Sequence, residues 1–143
     1  MAVTISLYNH TAKRFADGSN GVSDTYKLKL LTAATFDASH TILTATGGTE
    51  TSAANGYTAG GAALSNVAVT TVTTNDAMFD ADDVVWTATG GSIQASYAIL
   101  YNDTDTSDPP VAFIDFGGLQ QAGAGTDFRI IWNANGIFNF TVS

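Results

Sequence analysis

The chain reads as an all-β protein: an antiparallel β-sandwich of jelly-roll or immunoglobulin-like type with eight to nine short strands. Three observations predict this. Apolar and polar residues alternate with period two in one segment after another. Turn-forming Gly, Asn and Asp recur between those segments at short intervals, and almost no stretch carries a helical period. A length of 143 residues at 14.8 kDa fits one ordinary domain, so residues 1–143 are expected to fold as a unit. Surface scaling gives roughly 7,000 Å² exposed when folded against about 21,000 Å² unfolded, which is enough burial for a core without disulfides. With 45% hydrophobic and 13% charged residues, wholesale disorder is excluded.

Residues 3–8 alternate as VTISLY, the pattern of a half-buried strand. Residues 9–24 turn polar and Gly-rich and are expected to form a loop or arm. Alternation returns over 25–32, with Tyr26, Leu28 and Leu30 on one face and Lys27 and Lys29 on the other. Residues 36–43 are the one plausible helical turn, with Asp37 placed to cap it. Small residues and the Gly pairs at 47 and 60 dominate 45–64, leaving one weak strand near 49–52.

The second half is more regular. Residues 66–74 are β-branched, and 77–79 extend them after an Asn75-Asp76 turn. Strands follow over 84–88, 93–101, 111–116, 128–132 and 137–142. Asn133-Ala-Asn-Gly136 reads as a hairpin joining the last two, with Phe138, Phe140 and Val142 facing one way. Trp86, Trp132, Phe113, Phe116 and Phe128 alternate into the core, and Tyr97 and Tyr101 share a face with Ile99. The four Gly-Gly pairs are unevenly spaced, so no repeat architecture is supported.

Charge narrows the partners. Thirteen acids against five Lys and Arg give −8 and an isoelectric point near 4.2. That balance repels nucleic acid, whose phosphates are held by clustered cations. Four of the five cations, Lys13, Arg14, Lys27 and Lys29, lie in the first 31 residues. The acidic remainder holds only Arg129, so the first segment is a candidate for docking on an acidic surface. Phe15, beside Lys13 and Arg14, is either an apolar anchor for a partner or a fold-back onto the chain's own core.

The search for chemistry finds no constellation. Cysteine is absent, which removes disulfides, thiolate catalysis and Cys-based zinc sites together. Neither His10 nor His40 has a partner at metal-ligand spacing, and Glu50 is the sole glutamate. Residues 103–108, DTDTSD, resemble the start of a calcium loop but lack its Gly and its closing Glu; Asx turns are the favoured reading of them and of the acid-rich 76–83. The start of the chain lacks the basic flank of a secretory signal, and no stretch approaches the eighteen or so apolar residues of a membrane span. A non-enzymatic protein without cofactor or metal, binding neither nucleic acid nor membrane, is expected.

Four segments carry a resemblance: SDTYKLKLLTAATFD at 23–37, ANGYTAGG at 54–61, FDADDVVWTA at 79–88 and YAILYND at 97–103. Together they resemble small β-rich virion structural proteins of tailed bacteriophages, similar to capsid cement or decoration proteins. The resemblance implies a homotrimer on the outer capsid surface, made in the bacterial cytoplasm, that binds the major capsid protein and stabilises contacts between its subunits. Lys13, Arg14, Phe15, Lys27 and Lys29 would then be capsid-contact residues, from an arm that could be deleted without loss of the fold. The alternative is a tail, neck or head-fibre component that contacts host surface glycans through residues 103–110.

Overall fold

A computed structural model describes residues 3–141. Its elements run β1 (Thr4–Leu7), α1 (Thr11–Ala16), β2 (Tyr26–Ala33), β3 (Thr49–Glu50), β4 (Ala62–Ala63), β5 (Ala68–Thr73) and β6 (Asp76–Asp80). After these come β7 (Val84–Thr87), β8 (Ile93–Asn102), β9 (Pro110–Ala122), β10 (Asp127–Ile130) and β11 (Phe138–Phe140). All strand pairs are antiparallel. The large sheet has the order β1-β9-β8-β2-β3, with β4 also on β2; β10-β7 and β11-β6-β5 form two smaller sheets. The architecture is all-β and sandwich-like, with eleven strands among the described residues rather than eight or nine. The two-residue β4 had no sequence signal.

Period-two alternation places the core. Tyr26, Leu28 and Leu30 on β2, Ala98 and Leu100 on β8, and Ile114 and Phe116 on β9 point to one face of the large sheet. There they meet Phe79, Val84, Trp86, Phe128, Ile130 and Phe138 from the two smaller sheets. The opposite face buries a smaller cluster of Tyr8, Leu31, Ile99 and Phe113, covered by Phe36 and Leu43. Lys27 and Lys29 alternate away from the main core as expected, and Tyr97 joins Ile99.

Strand β9 runs on past Phe116, where the sequence pattern ends. Gly117 and Gly118 take positive φ of 76° and 149°, and the β8–β9 register shifts between Ala95 and Tyr97. This Gly pair is therefore a bulge inside a long strand and not a terminating turn. At Gly61 the demand is steric. A Cβ there would stand 1.9 Å from the Leu28 carbonyl oxygen, because β4 lies close against β2.

Several expectations are corrected. The helix lies at α1, within the stretch expected to be a loop or arm, and not at 36–43. Ala, Lys and Arg favour it, and Gly18 at φ 81° ends it in the left-handed conformation. Six residues cannot hold a helix alone, so tertiary anchors supply the stability: the Thr11 hydroxyl donates to the Val111 carbonyl at 2.7 Å, and Phe15 packs inward. At 36–43, Asp37 spends its carboxylate on the Ser39 backbone N–H and hydroxyl, closing a turn, and a 3-10 turn follows at Leu43–Thr46. The Asn133–Gly136 turn forms, with the Gly136 N–H donating to the Asn133 carbonyl, but it joins strands of different sheets. β10 pairs with β7 and β11 with β6, so it is no hairpin. Phe138 and Phe140 share a face, while Val142 lies outside the described residues.

Candidate interaction surfaces

The five predicted contact residues do not form a cationic patch. Lys13 is outermost and pairs with Asp17 at 2.6 Å, one helical turn away. Arg14 is mostly buried and bonds Asp105 at 2.8 Å, with the same nitrogen also donating to the Ser19 carbonyl and Nε to the Asn20 side chain. Lys27 pairs with Asp103 at 2.9 Å and Lys29 with Glu50 at 3.6 Å. Phe15 turns inward among Tyr26, Phe79, Phe138 and Phe140, with ring centroids 5.3–6.4 Å away. Only Arg14 and Lys27 are brought together, each holding an acid of the loop between β8 and β9. Three of the four cations of the first 31 residues are thus paired with acids 21 or more positions away, which no local charge count could foresee.

The hub of this arrangement is Asn102, which sequence reasoning overlooked. It is 1% exposed, and its amide nitrogen donates to Asn20 Oδ1 and Asp24 Oδ2, both at 2.9 Å. Its oxygen accepts from the Thr104 N–H at 2.9 Å. Asp103 N–H donates to the Thr25 carbonyl, and the Thr25 N–H to Thr104 Oγ1. His10 reaches the Pro110 carbonyl at 2.7 Å. Residues 10–25 are therefore sewn to 102–111 along their length.

The Asp-rich segments behave as turns and braces. Asp105 accepts from the Ser107 N–H and hydroxyl, and these bonds with the Arg14 pair hold its carboxyl down to about 2. Asp82 accepts from Asn66, and Asp83 from the Trp132 N–H. Among the described residues, no group of three or more His, Asp or Glu is placed to hold a metal ion. Glu50 receives the Tyr57 hydroxyl at 2.8 Å and the Gly60 N–H at 2.6 Å, pinning the loop before β4. Burial, foremost, and the Glu50 charge raise the Tyr57 phenol well above its ordinary value. All these groups are engaged with one another in fixed structural bonds.

Among the edge strands, β5 and β1 are mostly exposed. The first lies on the β5–β6 hairpin, closed by Asn75 at φ 73°. β5 pairs with β6 alone, and every β5 residue after Ala68 is exposed, including Val69 and Val72. The second is β1, an edge strand of the large sheet. The Tyr8 N–H donates to the Val111 carbonyl, so antiparallel alternation turns the backbone groups of Ile5 and Leu7 away from β9. Val3 (61% exposed) and Ile5 (37%) flank a groove of about 650 Å³ floored by Ile114, Phe116, Phe128 and Ile130. Ile131, 71% exposed, stands on its other rim. The strand signal was legible at both places, but edge position depends on sheet order, which alternation does not encode.

Comparison with protein-family models, with curated proteins and with solved structures finds no match for this chain. No helix among the described residues is long and apolar enough to cross a membrane.

Proposed function

We propose that this chain is a capsid cement (decoration) protein of a tailed bacteriophage, which binds the outside of the head and stabilises contacts between major capsid subunits. The sequence resemblance supplies the class. The observation that carries the mechanism is the exposure of two uncharged edge strands, β1 beside its groove and β5, on a body whose ion pairs are closed internally. Such a surface does its work by burying area and completing sheets. Capsid and sister copies are the partners in this reading, and β1 and the β5–β6 hairpin take the contact role expected of Lys13, Arg14, Phe15, Lys27 and Lys29.

Quantitative mass spectrometry of purified virions tests it. The chain should be present in amounts comparable to the major capsid protein, and add-back to heads lacking it should raise their resistance to heat. A handful of copies per particle would move it to the tail, neck or head fibre.

A further inference from the structure

The loop between β8 and β9 contains the chain's one Asp-Pro bond, Asp108–Pro109. Asp108 has a φ of 47°. A proline drives the residue before it toward extended backbone, at φ of about −120°. Asn55, Asn66 and Asn75 also take positive φ, which Asn and Asp tolerate, but only Asp108 does so against a following proline ring. This is a point of backbone strain. It is held from both sides: the Asp108 N–H donates to the Asp105 carbonyl at 2.9 Å, and the Asn102 N–H to the Pro109 carbonyl at 3.1 Å. Pro109 and Pro110 are buried, and His10 reaches the Pro110 carbonyl at 2.7 Å.

The carboxylate at this point is also unengaged. Asp103 is paired with Lys27, and Asp105 with Arg14 and Ser107. Among the described residues, the Asp108 side chain makes no hydrogen bond or ion pair, so it is free to turn onto its own backbone carbonyl.

We propose that Asp108–Pro109 is a self-cleavage site, broken in mild acid by the Asp108 carboxyl group and promoted by the folded conformation. In its acid form the carboxyl attacks the carbonyl carbon of the same residue through one oxygen. A cyclic anhydride forms, the C–N bond to Pro109 breaks, and the carboxyl proton ends on the proline nitrogen. Water then opens the anhydride, so the sum is a hydrolysis. Residues 1–108 end in Asp108 with two carboxyl groups, and residues 109–143 begin with a free secondary amine. Proline suits the leaving role because its tertiary amide nitrogen accepts a proton more readily than an ordinary peptide nitrogen. The cut also frees Asp108 from the ring behind it, so strain stored by the fold is released in the step.

The place of the cut decides what becomes of the molecule. The β1–β9, β8–β9, β7–β10 and β6–β11 ladders all join residues 1–108 to residues 109–143. The two pieces therefore stay together as a nicked domain. Nothing in this depends on a capsid, so it and the cement reading fail separately.

The test incubates the purified full chain at about pH 4, where ordinary carboxyl groups are part protonated. Circular dichroism follows the fold, and mass spectrometry after denaturation follows cleavage. Fragments 1–108 and 109–143 should appear about tenfold faster than from the same chain unfolded in urea at that pH, the factor that strain of ordinary size supplies. Asp108→Asn keeps a residue that tolerates positive φ and should abolish the cut, while Pro109→Ala retains the carboxyl and should slow it. The nicked chain should elute as one species in gel filtration and separate only in denaturant. A folded wild type that stays intact, cleavage no faster than in urea, or undiminished cleavage in Asp108→Asn would each overturn the proposal. The comparison of folded with urea-unfolded wild type needs no variant to fold.

Discussion

At the scale of single residues, stability concentrates in a few buried polar groups that join distant segments. Asn102 serves Asn20, Asp24 and the Thr104 N–H at once, so Asn102→Ala leaves several buried groups unpaired. We expect a loss of about 3 kcal/mol, read as a fall in Tm on the order of 10 °C. Asp105 contributes a pH dependence. Its carboxyl is lowered from 3.8 to about 2 by the Ser107 and Arg14 bonds. A depressed carboxylate stabilises the fold above its unfolded value and ceases to do so as pH falls through its folded value. Acid titration of the wild type should therefore show this contribution intact at neutral pH and lost between about pH 4 and 2. Asp105→Asn should remove that part of the slope, with the acid midpoint moving toward neutrality. The bonds of Asn102 to Asn20 and Asp24 and of Arg14 to Asp105 have no local sequence signature, because those pairs are 78 to 91 positions apart.

At the scale of elements, what decides is where each one packs. Helix α1 is anchored by Thr11 and Phe15, so residues 9–20 are part of the fold and not a detachable arm. Deleting them should unfold the chain, and Phe15→Ala should cost about 3 kcal/mol in chemical denaturation. The β5–β6 hairpin behaves in the opposite way: Val72→Lys at its tip should leave the denaturation midpoint nearly unchanged. Gly61 is the sharpest test of the β4–β2 approach. A side chain there meets the Leu28 carbonyl at 1.9 Å with φ at 85°, so Gly61→Ala should lower Tm strongly, while Gly90→Ala, open on all sides, loses only its backbone preference. Strand positions were readable because alternation is a property of consecutive residues. The helix was missed because six residues carry too little periodicity, although Ala-Asp17-Gly18 held its C-terminal stop signal.

At the scale of the whole molecule, the main core lies between the large sheet and the two smaller ones, and four of the chain's tyrosines, two of them in that core, are held away from solvent. Burial, foremost, raises the phenols of Tyr8, Tyr26 and Tyr57, and that of Tyr101 to about 12. A raised phenol stabilises the fold below its ordinary value of 10.0 and loses that contribution as pH rises through the folded value. Stability should thus decline above about pH 10, and tyrosinate absorbance should appear together with unfolding in a stopped-flow alkaline jump. An absorbance change that precedes loss of structure would contradict the burial of these rings.

The amino-acid order settles the fold class, most strand positions and the inward faces of β2 and β11, because period-two alternation is written locally in the chain. It also carries the resemblance from which the proposed class of function comes. Sheet order, the fate of the cations and the identity of the open edges emerge only in three dimensions. Lys27 finds Asp103, Arg14 finds Asp105, and β1 ends at an edge because of which strands pair. Pairing joins residues far apart along the chain, and the energy that selects it belongs to the packed core as a whole.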